Sequence, residues 1–127
     1  MLAQKEDTPL FAEAYGLVSK AFNVPNRVDT KFNLGSMSCS PSEFTDLVMT
    51  GKVDTDIAPG VRYGYGFADA MLKGLRVVGH NGGFPGINAH LDIYLDQQYI
   101  VAVLANYDPP IAFQVVDKVR DLIIAAS

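Results

Sequence analysis

Apolar and polar positions alternate strictly near the middle of the C-terminal half. Ala89, Leu91, Ile93 and Leu95 interleave with Asn88, His90, Asp92 and Tyr94. A period of two is the strand repeat, so the pattern predicts a strand with one buried and one wet face. His90 then reads as a solvated surface residue. Residues 100–105 are apolar on both faces and predict a central strand, joined to the first by a tight connection at Asp96-Gln97-Gln98. Upstream, Tyr63, Tyr65 and Phe67 share one face, with Gly64 and Gly66 leaving the other open. Met71-Leu72-Lys73-Gly74 turns into a short apolar run, Leu75 to Val78. After Asp108-Pro109-Pro110 the period changes: Ala112, Val115, Val116, Val119, Leu122 and Ile123 form the apolar stripe of a last helix.

The N-terminal half is less regular. Residues 10–18 follow the Asp7-Thr8-Pro9 turn and read as a strand, although Ala12, Glu13 and Ala14 leave helix open; with residues 1–5 they make a hairpin. Residues 19–35 hold Asn23, Pro25, Asn26, Asp29 and Gly35, which is loop chemistry. Ser40-Pro41-Ser42-Glu43 ahead of Phe44, Leu47 and Val48 reads as a helix start, and that helix ends near Gly51. A loop rich in Asp, Pro and Gly leads on to Tyr63. The expectation is an α+β domain: an antiparallel sheet of about five strands with an N-terminal hairpin, one short middle helix and a C-terminal helix packed on the sheet.

Composition narrows the class. The 127 residues suit a single domain, and 49% apolar with 19% charged residues is the balance of a globular chain. A net charge of −4 without any lysine or arginine cluster argues against a nucleic-acid partner. No apolar stretch is long enough to span a bilayer, and residues 1–7 lack the basic and apolar parts of a signal peptide. The expectation is a soluble protein. A single cysteine forms no internal disulfide and sits more comfortably in a reducing compartment, which slightly favours the cytoplasm. No His, Cys, Asp and Glu grouping has metal-ligand spacing, and no cofactor is expected.

Two segments carry candidate chemistry. His80-Asn81-Gly82-Gly83 follows the apolar run 75–78, so a strand ending in a polar residue opens into bare glycine backbone. Amide groups on such an edge can hold a developing oxyanion. The second segment is Gly35-Ser36-Met37-Ser38-Cys39, with a hydroxyl and a thiol at helical spacing. Each residue also has an ordinary reading. Ser36 can simply start a helix, His80 can be an exposed strand terminus, and Cys39 can be a small half-buried side chain. A Cys39–His80 thiolate pair is a further alternative.

These residues resemble the penicillin-recognising serine hydrolases: class C β-lactamases, DD-peptidases and their esterase relatives. One block runs from Leu10-Phe11-Ala12-Glu13-Ala14-Tyr15-Gly16-Leu17 to Asn33-Leu34-Gly35-Ser36-Met37-Ser38, the other from Tyr63-Gly64-Tyr65-Gly66-Phe67 through His80-Asn81-Gly82-Gly83 to residues 101–106. The resemblance implies that Ser36 is the nucleophile of a Ser-x-x-Lys motif. It further implies that His80 opens the strand motif beside the cleft, that the N–H groups of Gly83 and Ser36 form the oxyanion hole, and that Asn81 and Gly82 line the binding edge. Cys39 stands where the motif has lysine, and a thiol with an ordinary pKa of about 8.5 is a poor substitute base. The family's middle helical region, with its tyrosine motif, has no counterpart here, so the chain resembles a single truncated β-lactamase-like domain, 1–127. Its uncovered apolar surface implies self-association as a homodimer or higher oligomer, with segment exchange as one route. Three functions follow, the first two being weak hydrolysis of a small ester or β-lactam-like substrate and an inactive self-associating scaffold. A peptide-binding remnant is the third.

Overall fold

In the computed structural model, residues 1–5, 8–19, 22–30 and 45–126 are described. Eight strands make one antiparallel sheet: β1 (Leu2–Lys5), β2 (Thr8–Ala12), β5 (Val53–Asp54), β6 (Val61–Tyr63), β7 (Ala68–Leu72), β8 (Leu75–Phe84), β9 (Ile87–Tyr94) and β10 (Tyr99–Ala105). Their order is β2-β1-β10-β9-β8-β7-β6-β5. β3 (Leu17–Ser19) and β4 (Val24–Pro25) form a separate hairpin. Two helices complete the described elements, α1 (Thr45–Met49) and α2 (Ile111–Ala125).

The fold class is the expected one. β1 and β2 pair as the N-terminal hairpin, β10 lies centrally between β1 and β9, and α2 packs against β9 and β10. The reversal at Lys73-Gly74 is a two-residue hairpin turn with φ of +51° and +90°, the left-handed backbone such turns require.

Other expectations change. The sheet has eight strands rather than about five, because β5 and most of β6 form within the segment read as a loop and β7 runs over 68–72 up to the turn. The strand predicted over 10–18 stops at Ala12, and Gly16, at φ +72°, turns the chain into β3, which starts within that span, and β4, inside the segment read as loop. Tyr65 and Phe67 are not in a strand: Gly64 N–H donates to the Phe67 carbonyl at 2.8 Å, closing a turn that exposes Tyr65 and buries Phe67. The middle helix is present as α1, whereas the start proposed at Ser40 to Glu43 lies outside the described residues.

The largest correction concerns the faces of β9. Asn88, His90, Asp92 and Tyr94, expected to be wet, are all buried, with Asp92 at 1% exposure. They share their face with Val77, Val101 and Val103, and this is the face that α2 covers with Ala112 and Val116. Tyr94, Val101 and Val116 at its centre are nearly inaccessible, and each such side chain stabilises the fold by about 1.5–3 kcal/mol. Ala89, Leu91 and Ile93 occupy the other face, beside a fully buried Val78.

Candidate functional site

β8 is longer than the sequence pattern suggests, and this length positions the candidate site. The glycines do not follow the strand; they are part of it, since β8 continues to Phe84. β7 accompanies it only as far as the Ala68–Gly79 pair. Residues 80–84 run on against β9 alone among the described strands, through pairs His80–Leu91 to Phe84–Ile87. Alternate backbone N–H and C=O groups along this stretch therefore face away from β9, toward an edge no described strand occupies. Asn81 and Gly83 are exposed and Gly82 is buried. The structure thus brings His80, Asn81, Gly82 and Gly83 together on one rim. Ser36 and Cys39 lie outside the described residues.

His80 pairs with Leu91, so its side chain belongs to the face opposite α2. Its ring meets Tyr63 edge-on, with centroids 6.2 Å apart. Nδ1 is buried and has no hydrogen-bond partner among the described residues.

The rim is tied to the start of α2. Pro110 occupies the cap position of that helix and, having no side-chain acceptor, gives it no cap hydrogen bond. Asn88 of β9 does so instead: Ala112 N–H donates to its Oδ1 at 2.7 Å. The same carboxamide donates from Nδ2 to the Gly82 carbonyl at 3.2 Å. Gly86 N–H donates to Asp108 Oδ1 at 2.7 Å, and a Cβ on Gly83 would meet Pro109 Cγ at 2.9 Å. The rim therefore leans directly on the loop that leads into α2.

Behind it lies a buried polar cluster that sequence reasoning missed. Arg120 grips Asp92 with two bonds, Nε to Oδ2 at 2.7 Å and Nη2 to Oδ1 at 2.9 Å. Tyr94 donates to Oδ2 at 3.2 Å, and His90 Nε2 lies 3.0 Å from Asp92 Oδ1 and 3.1 Å from Arg120 Nη2. Phe113 covers the group, its ring centroid 5.5 Å from the guanidinium. Burial pushes the Asp92 carboxyl up, but the hydrogen bonds from His90 and Arg120 outweigh it and hold the group below the ordinary carboxylate value. Burial and the adjacent carboxylate together raise the Tyr94 phenol. Asp92 and Arg120 pair charge against charge, so the cluster clamps β9 to α2. One signal was available: Arg120 falls four residues after Val116 and eight after Ala112, directly on the apolar stripe of α2.

Two concavities accompany these features. A small one of about 110 Å³ touches His80, Asn81, His90, Asp92 and Arg120, linking the rim to the clamp. A larger, mostly apolar one of about 780 Å³ lies beyond β10, between Leu2, Leu17, Val28, Leu104 and Tyr107, and includes no rim residue. Among the described residues no group of His, Cys, Asp and Glu could hold a metal ion, and no helix is long and apolar enough to cross a membrane.

No protein-family model matches the chain, and no curated protein matches it. Among solved structures it is similar to a penicillin-binding protein from Bacillus halodurans, at 26% identity and a TM-score of 0.55. The match covers 63% of this chain and 24% of that one, so the chain spans about a quarter of the length of its neighbour. The fold is accordingly α+β and penicillin-binding-protein-like.

Proposed function

We propose that this chain is a β-lactamase-like serine hydrolase that acts slowly on small esters or β-lactam-like acyl compounds. The observation that carries this reading is the glycine rim: a strand that outruns its neighbour, exposes alternate backbone groups and is braced from behind. In this reading Ser36 attacks the carbonyl, and the N–H groups of Ser36 and Gly83 hold the oxyanion. His80, whose Nδ1 has no hydrogen-bond partner among the described residues, polarises the site or relays the proton. Asn81 and Gly82 form the substrate edge. Cys39 in the lysine position removes the usual base, and loss of a general base costs about 10²–10⁴-fold in rate. Slow turnover is the expected behaviour.

Cys39 also favours the second reading, an inactive self-associating scaffold that keeps the sheet without the chemistry. One assay separates them: turnover of a nitrophenyl ester and of a chromogenic cephalosporin by the wild type and by Ser36→Ala. The hydrolase reading expects Ser36→Ala to abolish the activity and Cys39→Lys to raise it. Equal rates in wild type and Ser36→Ala leave only the scaffold.

A further inference from the structure

We infer that Asn88 is a positioning residue for the glycine rim, fixing the oxyanion-binding backbone by anchoring it to the N-terminus of α2; this rests on the hydrolase reading above. Glycines supply close approach, but they leave a strand with no side chains to pack and with much conformational freedom to lose. Residues 80–84 also lack a described neighbour on one side. A stretch of that kind does not hold its amides to the few tenths of an ångström that oxyanion binding needs unless something else fixes it.

Asn88 has the geometry to do so. It is 6% exposed, and both ends of its carboxamide are engaged: Oδ1 accepts from Ala112 N–H at 2.7 Å and Nδ2 donates to the Gly82 carbonyl at 3.2 Å. Its acceptor side sits at the positive end of a 15-residue helix, which polarises the amide and strengthens its donor side. Gly83 pairs with Asn88 across the strands and rests against Pro109, so the rim is held both by hydrogen bonding and by contact. The two halves of the carboxamide have separable jobs. Oδ1 caps the helix, and Nδ2 sets the height of the Gly82–Gly83 peptide.

The full chain carrying Asn88→Ala or Asn88→Asp tests this. Aspartate keeps the acceptor for Ala112 and deletes the donor to Gly82, so it decides the matter if the alanine variant does not fold. Amide hydrogen exchange at Gly82 and Phe84 is expected to accelerate at least tenfold in either variant, while Val101 and Val103 stay protected. In the nitrophenyl ester assay, kcat is expected to fall about 10–100-fold, less than the roughly 10²–10³-fold cost of removing an oxyanion donor outright, with KM within threefold. Unchanged exchange at the rim overturns the inference whether or not the protein turns over substrate. A wild type without Ser36-dependent turnover, together with faster rim exchange in the variants, removes the hydrolase reading and keeps the brace. Equal loss of protection at the rim and at Val101 and Val103 in Asn88→Asp assigns Asn88 a general folding role and overturns the positioning one.

Discussion

Asp92 illustrates how little a polar residue's identity says about its exposure. Its carboxylate is inaccessible and spends its acceptors on Arg120, Tyr94 and His90. Removing one partner of such a pair strands the other charge in an apolar layer, which costs about 3–5 kcal/mol. Asp92→Ala should therefore destabilise the fold by that amount in urea titration, and Asp92→Leu combined with Arg120→Met should restore most of it. A single variant within about 1 kcal/mol of wild type would show that the clamp bears no load. Asp69 gives the matching prediction for pH. Two hydrogen bonds from Arg76 at 3.0 Å hold its carboxyl low, burial opposes them, and the Gly51 amide adds to the lowering. A carboxylate depressed in the folded state adds stability that is complete above its unfolded value of about 3.9 and disappears as pH falls through the folded one. Wild type should thus lose more stability between pH 7 and pH 3 than Asp69→Asn does. Equal losses on urea titration would contradict this.

At the scale of elements, what the sequence disclosed divides along a physical line. β9 and α2 were legible because their periods are long and unbroken, and β10 because its run is apolar on both faces. The sides of β9 were not, since alternation reports which residues share a face and is silent on which face a helix covers. Asn88, His90, Asp92 and Tyr94 look like a solvent face, and they are buried because the Ala112 N–H satisfies Asn88 while Asp92 accepts from Arg120, Tyr94 and His90. β5 and β6 were hidden by their brevity and by the Asp, Pro and Gly around them. The length of β8 was hidden by glycine itself, which ends strands as often as it thins them. Gly79 shows why a side chain is excluded there. A Cβ at this position would collide with the Leu91 carbonyl and come within 3.2 Å of Asp92 Oδ1. Gly79→Ala should cost about 1–3 kcal/mol, the usual range for overpacking, and should loosen the β8–β9 register. An alanine variant as stable as wild type, with unchanged exchange along β9, would speak against that packing.

For the whole molecule, the fold is penicillin-binding-protein-like over 63% of the chain, which matches about a quarter of that neighbour, and the proposed function places its chemistry on the rim. The candidate site was half legible. His80 to Gly83 stood out by their glycines and fall together on one edge, whereas the bracing by Asn88, Asp108 and Pro109 is a tertiary arrangement with no local pattern. Ser36 and Cys39 were read from spacing and resemblance, and they remain a matter of chemistry. The measurement that bears on the central claim most directly is the intact mass of the chain after incubation with a nitrophenyl ester or a penicillin, followed by peptide mapping. The account predicts a single acyl adduct on Ser36, slow to hydrolyse and missing from Ser36→Ala. An unmodified chain, or an adduct on Cys39 that Ser36→Ala retains, would contradict it.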